Sequence, residues 1–155
     1  MNPPPLGLAL IRVGVGALLL DEARRAYRSP VGPHLVEDCA PRMALAPDPL
    51  AWFGQEVLLR EPAFFAWAFV IGTALLGGAY FVGALTRPAS LALLAHCTFR
   101  WAYGPPHERA LALLLALCAA GCFLANAGRR LGLDATLASR LPSWITWSAG
   151  KGARR

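Results

Sequence analysis

The chain has 155 residues, of which 56% are hydrophobic and only 15% charged, with a formal net charge of +6. A soluble domain usually has about a quarter of its residues charged to keep its surface wettable, so this composition points to a surface that faces lipid. The positive charge does not mark a nucleic-acid binder, because the basic residues form no stripe interleaved with aromatics and the runs between them are too apolar.

The length suits one domain. At the N-terminus, Met1-Asn2-Pro3-Pro4-Pro5 lacks a basic n-region, and no small-residue cleavage site follows the first apolar run, so a cleaved signal peptide is not expected. That run, 6–20, is broken by Arg12 and contains Gly14 and Gly16. An arginine at mid-depth costs ~2.5 kcal/mol or more, so it should face the bundle interior or water while the rest of the segment spans.

A long connection, 21–61, follows, mixed in charge and rich in proline. Within it Asp48-Pro49 offers an N-cap and a first-turn proline. Leu50, Phe53 and Val57 then share one face, which predicts a short helix along the membrane surface. A loop packed on the bundle is the competing reading.

The next apolar segment, 63–86, is the longest uncharged one. A helix needs ~20 residues to cross ~30 Å of hydrocarbon, and this one has them. Phe64, Phe65 and Trp67 suit its membrane–water boundary, and Arg87-Pro88 closes it. The short link predicts a tight hairpin, so the chain must return through 88–103, which carries His96 and Arg100 and ends in Trp101 and Tyr103. The last span, 110–128, stops at Arg129-Arg130. After Asp134, Leu137, Leu141, Trp144 and Trp147 suggest a second surface segment.

The expected fold is therefore all-α: one membrane domain over 1–155, a polytopic four-helix bundle with short interfacial helices. Small residues at i, i+4 (Thr73 and Gly77, Ala74 and Gly78, Gly121 and Ala125) allow close helix approach. An even number of spans places both termini on one side. Seven basic residues fall on each side, but eight of the nine acidic residues lie opposite the termini. This leans towards cytoplasmic termini, although the positive-inside rule counts cations.

Cys39, Cys97, Cys118 and Cys122 form no disulfide framework or C-x-x-C motif, and three lie in apolar runs where cysteine behaves as a small hydrophobe. No metal-ligand set, phosphate loop or nucleophile–base arrangement is present. A self-contained hydrolase or transferase is not expected.

The second apolar run exits through Gly77-Gly78-Ala79-Tyr80-Phe81-Val82-Gly83-Ala84-Leu85-Thr86-Arg87. The last exits through Asn126-Ala127-Gly128-Arg129-Arg130-Leu131-Gly132-Leu133-Asp134, and the first carries Arg12 and Gly16. This order resembles the DoxX/DoxD family of four-helix bacterial membrane proteins, over roughly 6–134, with the long first connection nearest the DoxD type. The resemblance implies a bacterial inner-membrane protein with redox associations. The DoxD type is the small subunit of a thiosulfate:quinone oxidoreductase, paired with a second subunit. Two departures stand out. Many members carry a glutamate about a turn before the Gly pair, where this chain has Gly72, Thr73 and Ala74. The basic residue that often follows the first span's glycine is replaced by Asp21-Glu22.

Ionisable residues within the spans are the functional candidates. Arg12 lies ~9 Å and His96 ~12 Å into spans that start from the same face, counting 1.5 Å per residue. Together they would hold a quinone carbonyl or an anion in an apolar pocket; the alternative is that both are polar glue between helices. By the same count Arg100 shares a level with Asp21 and Glu22, and should pair with one of them. The functional expectation is a membrane subunit of a redox system, quinone-linked and docked to a second protein or to copies of itself. The alternatives are an accessory membrane protein without a cofactor, or a small-solute carrier.

Overall fold

The computed structural model describes residues 6–28, 35–125 and Leu133, and the described residues contain helices and turns and no strand. The helices are α1 (Leu6–Arg28), α2 (Leu35–Met43), α3 (Asp48–Glu56), α4 (Pro62–Val82), α5 (Thr86–Tyr103) and α6 (Arg109–Ala125), with 3-10 turns at Leu58–Arg60 and Pro106–Glu108. The all-α class therefore holds. The surface segment expected after Asp134 and most of the Asn126–Asp134 exit lie outside the described residues.

The boundaries follow local chemistry. Proline at the first position of α4 loses no helical hydrogen bond. At its other end Gly83 takes a left-handed φ of 71° and donates its N–H to Ala79 O at 2.9 Å. Leu85 is also left-handed, with φ 53°, and caps the start of α5. Such a conformation costs a branched residue about 1–2 kcal/mol. The hairpin is held by the Tyr80 hydroxyl, which donates to Ser90 Oγ at 2.8 Å, while Ser90 Oγ donates to Thr86 O at 2.7 Å. α3 begins at Asp48, with Pro49 in its first turn as expected; Pro47 and not Asp48 is the N-cap, and no side-chain cap bond forms. α2 lies within the 21–61 connection, where no helix is expected before Asp48, and it contains Pro41.

α1 packs chiefly along α4, and α5 along α6; α1 also touches α6, and α4 touches α5. The first pairing is antiparallel and close. A Cβ on Gly16 would stand 2.5 Å from Phe81 N and 2.9 Å from Gly77 O, and one on Gly77 would stand 2.9 Å from Leu20 N. Further along, the Tyr27 ring meets Trp67 edge-on at 6.0 Å. One core, including Val15, Leu19, Tyr80, Leu93, Cys97 and Cys122, fills the middle of the bundle. A second, including Val36, Met43, Leu58, Ala66 and Tyr103, lies where α2 and α3 cover the start of α4 and the end of α5.

Two helical stretches, Pro62–Val82 and Pro106–Leu124, are long and apolar enough to cross a membrane. α1 and α5 fall short on composition, because α1 carries Arg12, Asp21 and Glu22 and α5 carries Arg87 and Arg100. Only 28% of one and 22% of the other is buried, so most of each apolar stretch lies on the outside of the fold.

The glycine contacts predict an asymmetric outcome. Gly16→Ala forces α1 off α4 and should cost about 1–3 kcal/mol, as overpacking does. Gly14→Ala meets nothing within 4 Å and should be neutral or stabilise by about 0.5–1 kcal/mol through helix propensity. Thermal melts of the two variants in detergent check this; equal melting points would mean the crossing is looser than described.

Candidate functional site: a buried arginine between two carboxylates

α5 presents Thr86, Ser90, Leu93, His96, Cys97 and Arg100 inward, all buried. The apolar members follow the helical repeat of a core face, and the polar ones share it. Polar groups buried in an apolar bundle must find partners.

Arg100 is 7% exposed. Its Nη1 donates to both oxygens of Glu22, at 2.7 and 2.6 Å, and its Nη2 donates to Glu108 Oε2 at 2.8 Å. α1 and α5 are not close neighbours along their backbones, so the arginine reaches across the bundle to tie them. Glu108 arrives through a tight turn. Gly104 N–H caps Arg100 O at 2.8 Å, and a Cβ on Gly104 would lie 2.3 Å from that same oxygen, so only glycine fits. Pro105 and Pro106 then fold the chain back into the 3-10 turn that carries Glu108.

The two carboxylates offered by the first helix behave differently. Glu22 turns inward to Arg100. Asp21 turns outward, accepting from Arg24 Nη2 at 2.9 Å and Arg25 Nε at 2.7 Å. The hydrogen bonds from Arg25 and Arg24 lower the Asp21 pKa. For Glu22 the direction reverses: burial raises its pKa and outweighs the attraction of Arg100, and the neighbouring charge of Glu108 adds to the rise.

His96 sits one turn before Arg100, 8% exposed, its ring stacked on Phe69 at 4.6 Å and 18°. Its Nε2 is buried and has no hydrogen-bond partner among the described residues. Phe69 also meets Phe99, which meets Tyr103, so an aromatic row runs from His96 to the end of α5. That end is pinned by Arg42 Nε donating to Tyr103 O and by the Tyr103 hydroxyl donating to Leu50 O, both at 2.6 Å.

Arg12 is fully buried, and its charge reaches Cys122 on α6. It lies ten residues before Glu22, ~15 Å along the axis, whereas His96 lies four residues before Arg100, ~6 Å. Glu22 and Arg100 are level, so Arg12 and His96 stand ~9 Å apart in depth at 1.5 Å per residue. The structure brings Arg100 to Glu22 and leaves Asp21 outside. The sequence reading missed Glu108, because it stopped at the end of the apolar run; the Gly-Pro-Pro step beside Arg100 was the available signal.

All four cysteines are free, and the described residues hold no group of three or more His, Cys, Asp or Glu able to bind a metal. No family model matches the chain, and no curated protein or solved structure is significantly similar to it.

The shared guanidinium makes the three substitutions unequal. Arg100→Gln leaves two facing carboxylates without a cation and should cost roughly 3 kcal/mol or more. Glu22→Gln or Glu108→Gln leaves a one-to-one pair and should cost about 1 kcal/mol, since both carboxylates are partly wet. Double-mutant cycles on detergent melts should show coupling of Arg100 to Glu22 and Glu108 and none to Asp21. Additive losses with both glutamates would mean that Arg100 holds neither.

Proposed function

We propose that all four long helices cross the bilayer and that the chain is a DoxX/DoxD-like subunit of a redox system in a bacterial inner membrane. In this reading it presents a quinone site near His96 and docks a second protein or further copies of itself. The span assignment rests on where α1 and α5 put their polar groups. Arg12, His96 and Arg100 are buried, while Leu6, Leu10, Ile11 and Leu18 of α1 and Leu91 of α5 face outward. Charges turned inward leave an apolar exterior, which is the arrangement lipid demands. α5, with 18 residues, reaches ~27 Å at 1.5 Å per residue, close to the hydrocarbon thickness.

The observation that carries the quinone reading is the His96 ring: a buried imidazole whose Nε2 lacks a partner among the described residues, stacked on a phenylalanine. A quinone offers flat rings to stack and carbonyl oxygens to accept the imidazole N–H. The accessory reading has its own support, since Arg100 is held by side chains of the chain itself and is not an open ligand anchor.

Two measurements test these statements. A reporter fused after Arg155 should read cytoplasmic and one inserted near Pro47 periplasmic; the same side for both would sink the four-span arrangement. Protein purified in mild detergent should carry quinone detectable by mass spectrometry. His96→Leu should lose it while keeping the wild-type fold, whereas Arg12→Leu should keep it wherever the protein folds. Wild-type protein without quinone would leave the accessory role in its place.

A further inference from the structure

The Arg100 cluster is short of positive charge. One guanidinium serves Glu22 and Glu108 together; Arg100 is 9% exposed, while Glu22 and Glu108 are partly buried, at 27% and 35%. Two ionised carboxylates beside one arginine leave a net charge of −1 at the end of an apolar bundle. Like charges that share a site resist joint ionisation, so one of the pair takes up a proton more readily than a free side chain.

Among the described residues, the surrounding elements do not supply the missing cation. On α1, Arg25 feels Glu22 but is bound with Arg24 to Asp21 on the outer face. On α2, Arg42 is spent on Tyr103 O and Asp38 O. Arg109, next to Glu108 in sequence, lies over the Trp101 ring at 5.9 Å. α4 contributes Phe69 and no ionisable group at this level. The titratable neighbours left on α5 are the buried thiol of Cys97, which feels both Arg100 and Glu22, and His96, one turn before Arg100, nine-tenths buried and with an unpartnered Nε2.

We infer that Glu22, Glu108 and Arg100 form a proton-binding site that holds one proton at pH values where ordinary glutamates are ionised. The proton resides on a carboxylate oxygen of the glutamate pair, chiefly on the more buried Glu22, and the cluster becomes neutral when it is occupied. Release returns the proton to water through the exposed edge of Glu108. The site lies at the His96 end of the bundle, where a proton-exchanging ligand would need it, but it does not depend on a bound quinone.

Infrared difference spectroscopy of the full chain in nanodiscs, titrated with pH, reads the protonated carboxyl directly. Wild type should show one carboxyl band whose midpoint lies above the usual glutamate range near ~4.3, with at least about a tenfold gain in proton affinity. Glu22→Gln and Glu108→Gln should each abolish that band, because either leaves a balanced pair, whereas Asp21→Asn should keep it. Using both glutamate variants guards against one failing to fold. Absence of the band in wild type, or its survival in a folded glutamate variant, would overturn the assignment. So would a midpoint that falls in proportion to added sodium, since the site would then take a metal cation. Quinone content, measured on the same samples, bears on the other proposal alone.

Discussion

A guanidinium cannot be left alone in an apolar bundle. Desolvating an ion costs several kcal/mol even after relaxation, and good hydrogen-bonding geometry is what offsets it. Arg100 meets that demand with three bonds to two carboxylates, and several local features serve those bonds. α1 continues past its apolar run to Arg28, which holds Glu22 on a helical frame. Gly104 permits the backbone to turn immediately after α5, and the two prolines return Glu108 to the arginine. The hairpin of α2 and α3 covers the same end and fastens the last residue of α5 through Arg42 and Leu50. The charge and its partners thus fix the relation of α1, α5 and the start of α6, which apolar contacts alone would specify poorly.

The second constraint is steric and acts between α1 and α4. In the proposed four-span arrangement these helices would gain little from hiding apolar side chains from one another in lipid, so close backbone approach would supply the attraction. Gly16 and Gly77 provide it here, each occupying space that a Cβ on the other helix would need. This crossing and the Arg100 clamp are complementary. One joins α1 to its neighbour by contact, and the other joins α1 to the more distant α5 by charge.

Much of this was legible in the sequence. The apolar runs located the long helices, and a count of residues at fixed helical rise placed Arg100 level with Asp21 and Glu22. That count could not say which acid turns inward, because neighbouring residues differ by about 100° around a helix and only the packing of α1 on α4 fixes its rotation. Helix ends were harder. α1 runs eight residues beyond the expected 6–20, since polar residues end an apolar run without ending a helix. α4 stops at Gly83, earlier than the expected 86, because the hairpin consumes Gly83 to Leu85. Depth was the least legible quantity: counting each span from its own start set Arg12 and His96 nearly level, whereas the pairing of Glu22 with Arg100 separates them.

That separation divides the polar groups of the bundle into two sets. Towards the α4–α5 hairpin lie Arg12, Tyr80, Ser90 and Thr86, with the tyrosine hydroxyl and Ser90 bonded in a chain that ends on a backbone carbonyl. Towards the α2–α3 cover lie His96, Arg100, Glu22 and Glu108. Leu93 stands between the sets on α5, fully buried. An aliphatic side chain has no donor or acceptor to offer, so hydrogen bonding along α5 is broken at that turn. In the proposed proton site, exchange with water at the His96 end falls to the partly exposed Glu108 carboxylate on Arg100, and the hairpin end contributes rigidity to the frame that holds it.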